Sequence, residues 1–165
     1  MWEKILKKKF DKKDIEIISA LNQDGRISDQ KMAEKLGISK TAIRTRRLKL
    51  QKIGAIRIIA LLVLQNIDLV YADVVLSFDS GADKEHIKKF IERCVNDEYI
   101  FEISEYVGSD DLLLRFFDSD LSSLKDHIVS IIRGNGIISS YLVYPVVRSY
   151  KAWGNVLNFK DSNGK

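Results

Sequence analysis

"SDQKMAEKLGISKTAIRTRRLKLQKIG", residues 28–54, decides the fold. Two short segments flank Gly37, and each opens on a serine suited to capping a helix, Ser28 and Ser39. Small Ala33 precedes Gly37 by four residues, with Met32, Leu36, Ile38 and Ile43 as apolar positions around them. A helix-turn-helix needs this set. The small residue lets two helices cross closely, the glycine turns the chain at positive φ, and the apolar side chains pin the second helix to the first. A plain three-helix corner would use the same residues. The second segment adds something a corner does not need: Lys40, Arg44, Arg46, Arg47, Lys49 and Lys52. That charge suits either a solvated face or a surface that meets phosphate.

On a helical wheel, Ile43, Leu50 and Gly54 mark the buried side of this segment, and Arg46 and Arg47 flank it. Lys40 and Arg44 lie to one side, while Thr41, Thr45, Leu48, Lys49 and Lys52 face away. The N-terminal part of a recognition helix enters the major groove. Ser39, Lys40, Thr41, Arg44 and Thr45 are therefore candidate base or phosphate contacts, and Lys49 extends the same exposed side. Arginine reads guanine O6 and N7 bidentately, and threonine meets a thymine methyl. Arg46, close to the core, is expected to pair with a carboxylate of the first helix (11–23), such as Asp14.

Upstream, "DKKDIEIISALNQ" (11–23) reads as another helix, with Asp11 as N-cap and Ile15, Ile18, Leu21 and Asn22 along one stripe. Downstream, the apolar run 56–64 is short and rich in Ile, Leu and Val, so it reads as a strand. Strand patterns follow at 71–78, 99–107, 111–117 and 137–147. Between them lie amphipathic helices at 83–95 (Ile87, Phe90, Ile91, Cys94) and 119–133 (Leu121, Leu124, Ile128, Ile131, Ile132). Gly108 begins a tight turn between the second and third of these strands. The order β-α-β-β-α-β is the ferredoxin-like pattern. Its last strand lies at a sheet edge, where Pro145 is acceptable.

The fold class is therefore α+β. A winged or three-helix helix-turn-helix domain with a basic N-terminal extension (1–54) leads into a linker strand (55–70). A ferredoxin-like domain with an antiparallel sheet (71–148) and a C-terminal extension (149–165) follow. Strand 111–117 is apolar on both faces, yet helices cover only one face of such a sheet. Its second face, and the unpaired strand 56–64, point to a second subunit.

Charge divides along the same line. Residues 1–57 hold 16 Lys/Arg against 7 Asp/Glu, a net of +9; the remainder holds 11 against 16, a net of −5. A basic first third on an acidic remainder suggests two modules with different partners. No apolar run reaches membrane-spanning length, and the N-terminus lacks the apolar region of a secretory signal. The single cysteine forms no internal disulfide, which fits a cytoplasmic location. No phosphate-binding glycine loop, metal-spaced Cys/His cluster or paired acid and base stands out, so no catalytic, metal or cofactor site is expected. His86 and His127 lie beside their helices' apolar stripes and are expected to face solvent, with Cys94 in the core.

These residues resemble the Lrp/AsnC transcription regulators, also called feast/famine regulators. The likeness runs over about residues 10–148. It rests on Asp14, Leu21, Asp24-Gly25-Arg26, Ala33, Leu36-Gly37, Ser39, Ile43, Arg46, Leu50 and Gly54, and on Gly108-Ser109-Asp110-Asp111 as that family's G-x-x-D turn. The resemblance implies double-stranded DNA as partner, and 71–148 as a regulatory and oligomerisation domain. It implies a homodimer that assembles in some members into tetramers or octamers. A small effector, usually an amino acid, would bind between dimers at Gly108, Ser109, Asp110 and Asp111. Asp110 stands where the family often has an aromatic residue, and Arg47-Leu48 where it usually has an aliphatic residue and then a basic one. Two other readings stay open: an architectural DNA-binding protein without an effector, and an enzyme resembling the siroheme decarboxylases. The second would need a basic, histidine-bearing pocket in the acidic half. The extension 149–165 is expected to dock through Trp153, Val156, Leu157 and Phe159.

Overall fold

The computed structural model describes residues 3–157. The chain divides into two compact units. One runs up to Leu62 and includes Trp153–Asn155, and the other begins at Val63.

The first unit is helical: α1 (Glu3–Leu6), α2 (Lys12–Gln23), α3 (Asp29–Leu36) and α4 (Lys40–Lys52). Each of the last three begins on a side-chain cap. Asp11 accepts from the Asp14 amide, Ser28 from Lys31 and Ser39 from Ala42. Gly37 ends α3 at φ 66°, and Gly54 follows α4 at φ 71°, both in the left-handed region that favours glycine. Ile17, Ala20, Leu21, Met32, Ala33, Ile43 and Leu50 form the core. The α2 stripe differs from expectation. Ile17 is fully buried and Ile18 only partly so, because buried Asp14 and Ile17 share the face that meets α4. No wing accompanies these helices among the described residues; the three-helix form is the one adopted.

The expected strand at 56–64 does not form. The chain has no regular structure from Ile56 to Val63 and then makes a single 3₁₀ turn, Leu64–Asn66. A strand exists through a hydrogen-bonded neighbour, and among the described residues this segment pairs with no other strand. Ile56 packs against the helical core, while most apolar side chains after it stay outside, with Ile59 69% and Leu62 60% exposed.

The second unit has the elements β1 (Val70–Phe78), α5 (Lys84–Val95), β2 (Ile100–Glu105), β3 (Leu112–Asp118), α6 (Leu121–Ile132) and β4 (Ile138–Pro145). Its sheet is antiparallel in the order β2-β3-β1-β4, so Pro145 sits on an edge strand. Alternation along β1 sends Ala72, Val74 and Leu76 to the helix-covered face. They pack there with Leu112, Leu114 and Phe116 of β3, with Phe90 and Cys94 of α5, and with Leu124, Ile128, Ile131 and Ile132 of α6. Leu121 is 61% exposed, since it begins α6 one turn before the core. Burial pushes the Cys94 thiol up to about 12, which leaves it a packing group.

His127 corrects its expectation. It is half-buried, its Nε2 lies 3.1 Å from both carboxylate oxygens of Asp97, and its ring lies 4.5 Å from that of Tyr99. His86 is exposed as expected. A short hairpin, β5 (Lys151–Ala152) with β6 (Asn155–Val156), carries the start of the C-terminal extension. Trp153 and Val156 are 70% and 73% exposed, Leu157 is partly buried and its amide donates to the Tyr150 carbonyl at 3.0 Å, and Trp153 turns the hairpin tip together with Gly154 at positive φ. Phe159 lies outside the described residues. No helix among the described residues is long and apolar enough to cross a membrane.

Candidate nucleic-acid interface and effector turn

The two consecutive arginines of α4 both point inward. Arg46 Nη1 donates to Asp11 Oδ2 at 2.6 Å and to Asp14 Oδ1 at 2.7 Å, spanning the cap and first turn of α2. Arg47 Nη2 donates to Asp29 Oδ2 at 3.1 Å, in the first turn of α3. Successive helical residues point about 100° apart. Arg46 therefore ties α4 to α2 while Arg47 ties it to α3. The hydrogen bonds that Arg46 donates to Asp11 and Asp14 raise its guanidinium above its ordinary value. The Asp14 amide first, and Arg46 second, hold the Asp11 carboxyl below the usual carboxylate range. The Arg46 pairing with Asp14 follows the sequence expectation. The Arg47–Asp29 pair was missed, although an acid in the first turn after Ser28 was visible.

With those two charges turned inward, the outer side of α4 is defined by what remains. Lys40, Thr41, Arg44, Thr45, Leu48 and Lys49 are exposed, and Ser39 precedes them as cap. The side chains proposed for DNA thus share one solvent face of one helix. No acidic residue lies within α4 to offset them. The Ser39 hydroxyl accepts from the Ala42 amide at 3.1 Å, so its first role is to start the helix.

The turn from Tyr106 to Asp111 links β2 to β3. Asp111 anchors it: its Oδ2 accepts from the Phe78 amide at 2.7 Å, and its own amide donates to the Leu76 carbonyl at 2.9 Å. The Ser77 hydroxyl donates to the Ser109 carbonyl at 3.1 Å, and the Ser109 hydroxyl donates to Asp110 Oδ2 at 3.1 Å. The Gly108 backbone stays outside the left-handed region, and a Cβ added there would meet nothing within 4 Å. Neither conformation nor crowding inside the chain calls for glycine at that position. An open groove of about 420 Å³ lies elsewhere, between His86, Lys89 and Arg93 of α5 and the Gly134–Ile137 loop, and none of the four turn residues lines it.

The sheet face away from the helices carries Asp73, Arg115 and Glu102 as an ion triad. Arg115 Nε lies 3.0 Å from Asp73 Oδ1, and its Nη1 lies 2.9 Å from Glu102 Oε2. Around the triad, Phe101, Leu142 and Tyr144 are 46%, 57% and 52% exposed.

A capped three-helix unit with a basic outward helix, joined to a ferredoxin-like sheet domain, defines a helix-turn-helix protein of the transcription-regulator class. Residues 10–51 match the AsnC-type helix-turn-helix domain. The chain is 36% identical to an uncharacterized HTH-type transcriptional regulator, PH1055, of Pyrococcus horikoshii, over 88% of this chain and 91% of that protein. It is 26% identical to a leucine-responsive regulatory protein of Rhizobium meliloti, over 89% and 95% respectively. The fold matches that of the Neisseria meningitidis transcriptional regulator NMB0573, solved as a complex with L-Met. That match has a TM-score of 0.77 at 20% identity and covers 90% of this chain and 96% of that one. The chain belongs to the Lrp/AsnC family of transcriptional regulators.

Proposed function

We propose that a homodimer of this regulator presents two α4 helices to successive major-groove faces of double-stranded DNA, about one helical turn apart. Ser39, Lys40, Thr41, Arg44, Thr45 and Lys49 make the contacts, with Arg44 contributing most. The observation that carries this reading is the division of charge on α4. Arg46 and Arg47 are consumed by Asp11, Asp14 and Asp29, while Arg44 has no carboxylate partner among the described residues and faces solvent with Thr41 and Thr45. The dimer forms through the open sheet face around Leu142 and Tyr144, with the exposed 56–62 segment pairing against its counterpart in the second copy.

An amino-acid effector at Gly108, Ser109, Asp110 and Asp111, between copies, alters this arrangement. The vacant space at Gly108 supports a close approach from outside, and the carboxylates of Asp110 and Asp111 suit an α-amino group. Neither the groove beside α5 nor the one beside the start of β4 is lined by these turn residues, so in this reading a second copy completes the site. The engagement of Asp111 by the Phe78 amide favours a second reading, an architectural protein without effector, in which the turn is only a brace.

Salt titration of DNA binding tests the first part. Affinity should fall steeply between 50 and 200 mM salt, by roughly 10³ or more if six phosphates are contacted. A flat response would reject it. Repeating the titration with each of the amino acids separates the two readings: one amino acid that shifts affinity or assembly size supports the effector, and none supports the brace.

A further inference from the structure

Leu48 is the anomaly of the outward face. It is 51% exposed in the middle of the basic surface of α4. Arg44 and Thr45 lie four and three residues before it, and Thr41 lies seven before, so all four share one stripe. Its neighbour Arg47 has the opposite placement, with a charge turned inward to Asp29 in a half-buried pair. An exposed leucine there adds nothing to the core of this unit, where Ile43 and Leu50 already fill the α4 contribution. Burying an apolar side chain is favourable only against another apolar surface. In the major groove the accessible apolar group is the C5-methyl of thymine.

Thr41 to Leu48 covers about 10 Å along the helix axis, roughly three base-pair steps at about 3.4 Å each. Arg44, one turn before Leu48, would then fix the helix on a neighbouring guanine or phosphate. We propose that Leu48 is a specificity-determining residue that reads a thymine methyl, and that the inward Arg47–Asp29 pair is what turns this apolar side chain, rather than a basic one, to the groove. The inference rests on α4 being the DNA-reading helix.

The test uses the full-length protein and an operator selected from fragmented genomic DNA. Each thymine of one half-site is replaced in turn by deoxyuridine, which removes only the methyl, and affinity is read by fluorescence anisotropy. Wild type should lose about fourfold at one thymine, the equivalent of one buried methylene-sized group. Leu48→Ala should bind the thymine and uracil operators equally at that position. Because Leu48 is exposed, this variant should melt like wild type by circular dichroism. Leu48→Lys should also lose the discrimination while steepening the salt dependence by about one phosphate contact. Three results would overturn the proposal: no thymine whose methyl matters, discrimination surviving in Leu48→Ala, or a change in sedimentation of that variant without DNA, which would make Leu48 a protein contact. Failure of the wild type to bind any DNA fragment selectively would remove the helix assignment itself, a different outcome from selective binding without methyl discrimination.

Discussion

The two units of this chain handle charge in opposite ways. In the helical unit seven buried apolar residues make the core, and charged pairs bind α4 to α2 and α3: Arg46 to Asp11 and Asp14, Arg47 to Asp29. In the sheet unit twelve buried residues make the core, and the charged triad of Asp73, Arg115 and Glu102 stands on the face the helices leave open. Size explains the difference. A small helical unit buries too little apolar surface to fix helix angles by packing alone. Ion pairs at two helix starts supply direction at little cost in volume. The sheet unit has packing to spare, so its charges are free to shape a surface.

If that contrast is right, the largest loss should come from the sheet core. Phe116→Ala, which empties a fully buried site on β3, should cost about 3–5 kcal/mol in urea unfolding. A cost below 1 kcal/mol would mean that the sheet unit is not held by its core. Arg46→Ala should destabilise the helical unit by about 2 kcal/mol. It strands buried Asp14, but solvent reaches a third of the arginine and discounts the pair. Equal stability would break the claim that charge orients α4. Arg44→Ala sharpens it from the other side: DNA affinity should fall about tenfold with the melting temperature unchanged. Asp29→Asn should cost about 1 kcal/mol, since a single hydrogen bond joins it to Arg47.

The smallest effect is acid sensitivity, which touches one cap in each unit. Asp11 and Asp120 are both held below the ordinary carboxylate value of 3.8, Asp11 by the Asp14 amide and Arg46, Asp120 by the amide and hydroxyl of Ser123. Their folded forms release the proton more readily than the unfolded chain does. The stabilisation is therefore complete above pH 3.8 and is lost as pH falls through the lower folded values. Asp11→Asn should flatten that acid dependence for helix melting, and Asp120→Asn for sheet melting. If either variant flattens both transitions, the units do not unfold separately.

Much of this was legible in the residues. Ser28, Gly37 and Ser39 announced the helix-turn-helix because capping and positive φ are local demands. The β-α-β-β-α-β order was readable because periods of two and of 3.6 differ within a few residues. Arg46 was placed correctly since its wheel position lies next to Ile43 and Leu50. Arg47 was not, because it flanks the same stripe on the side that meets α3, and only the crossing of α3 with α4 shows that Asp29 lies there. His127 was misplaced for the same reason: Asp97 and Tyr99 come from the approach to β2 and meet it only in the folded sheet.

Local chemistry in the sequence by itself determined the elements, their caps, the basic helix and the acidic second unit, since each depends on neighbours within one or two turns. Only tertiary structure decided which arginines of α4 are spent inside and which residues of that helix face solvent. It also settled that 56–63 has no strand partner among the described residues and that Asp111 is tied to Phe78. Those outcomes depend on groups far apart in sequence arriving within hydrogen-bond reach, and no local pattern encodes that arrival.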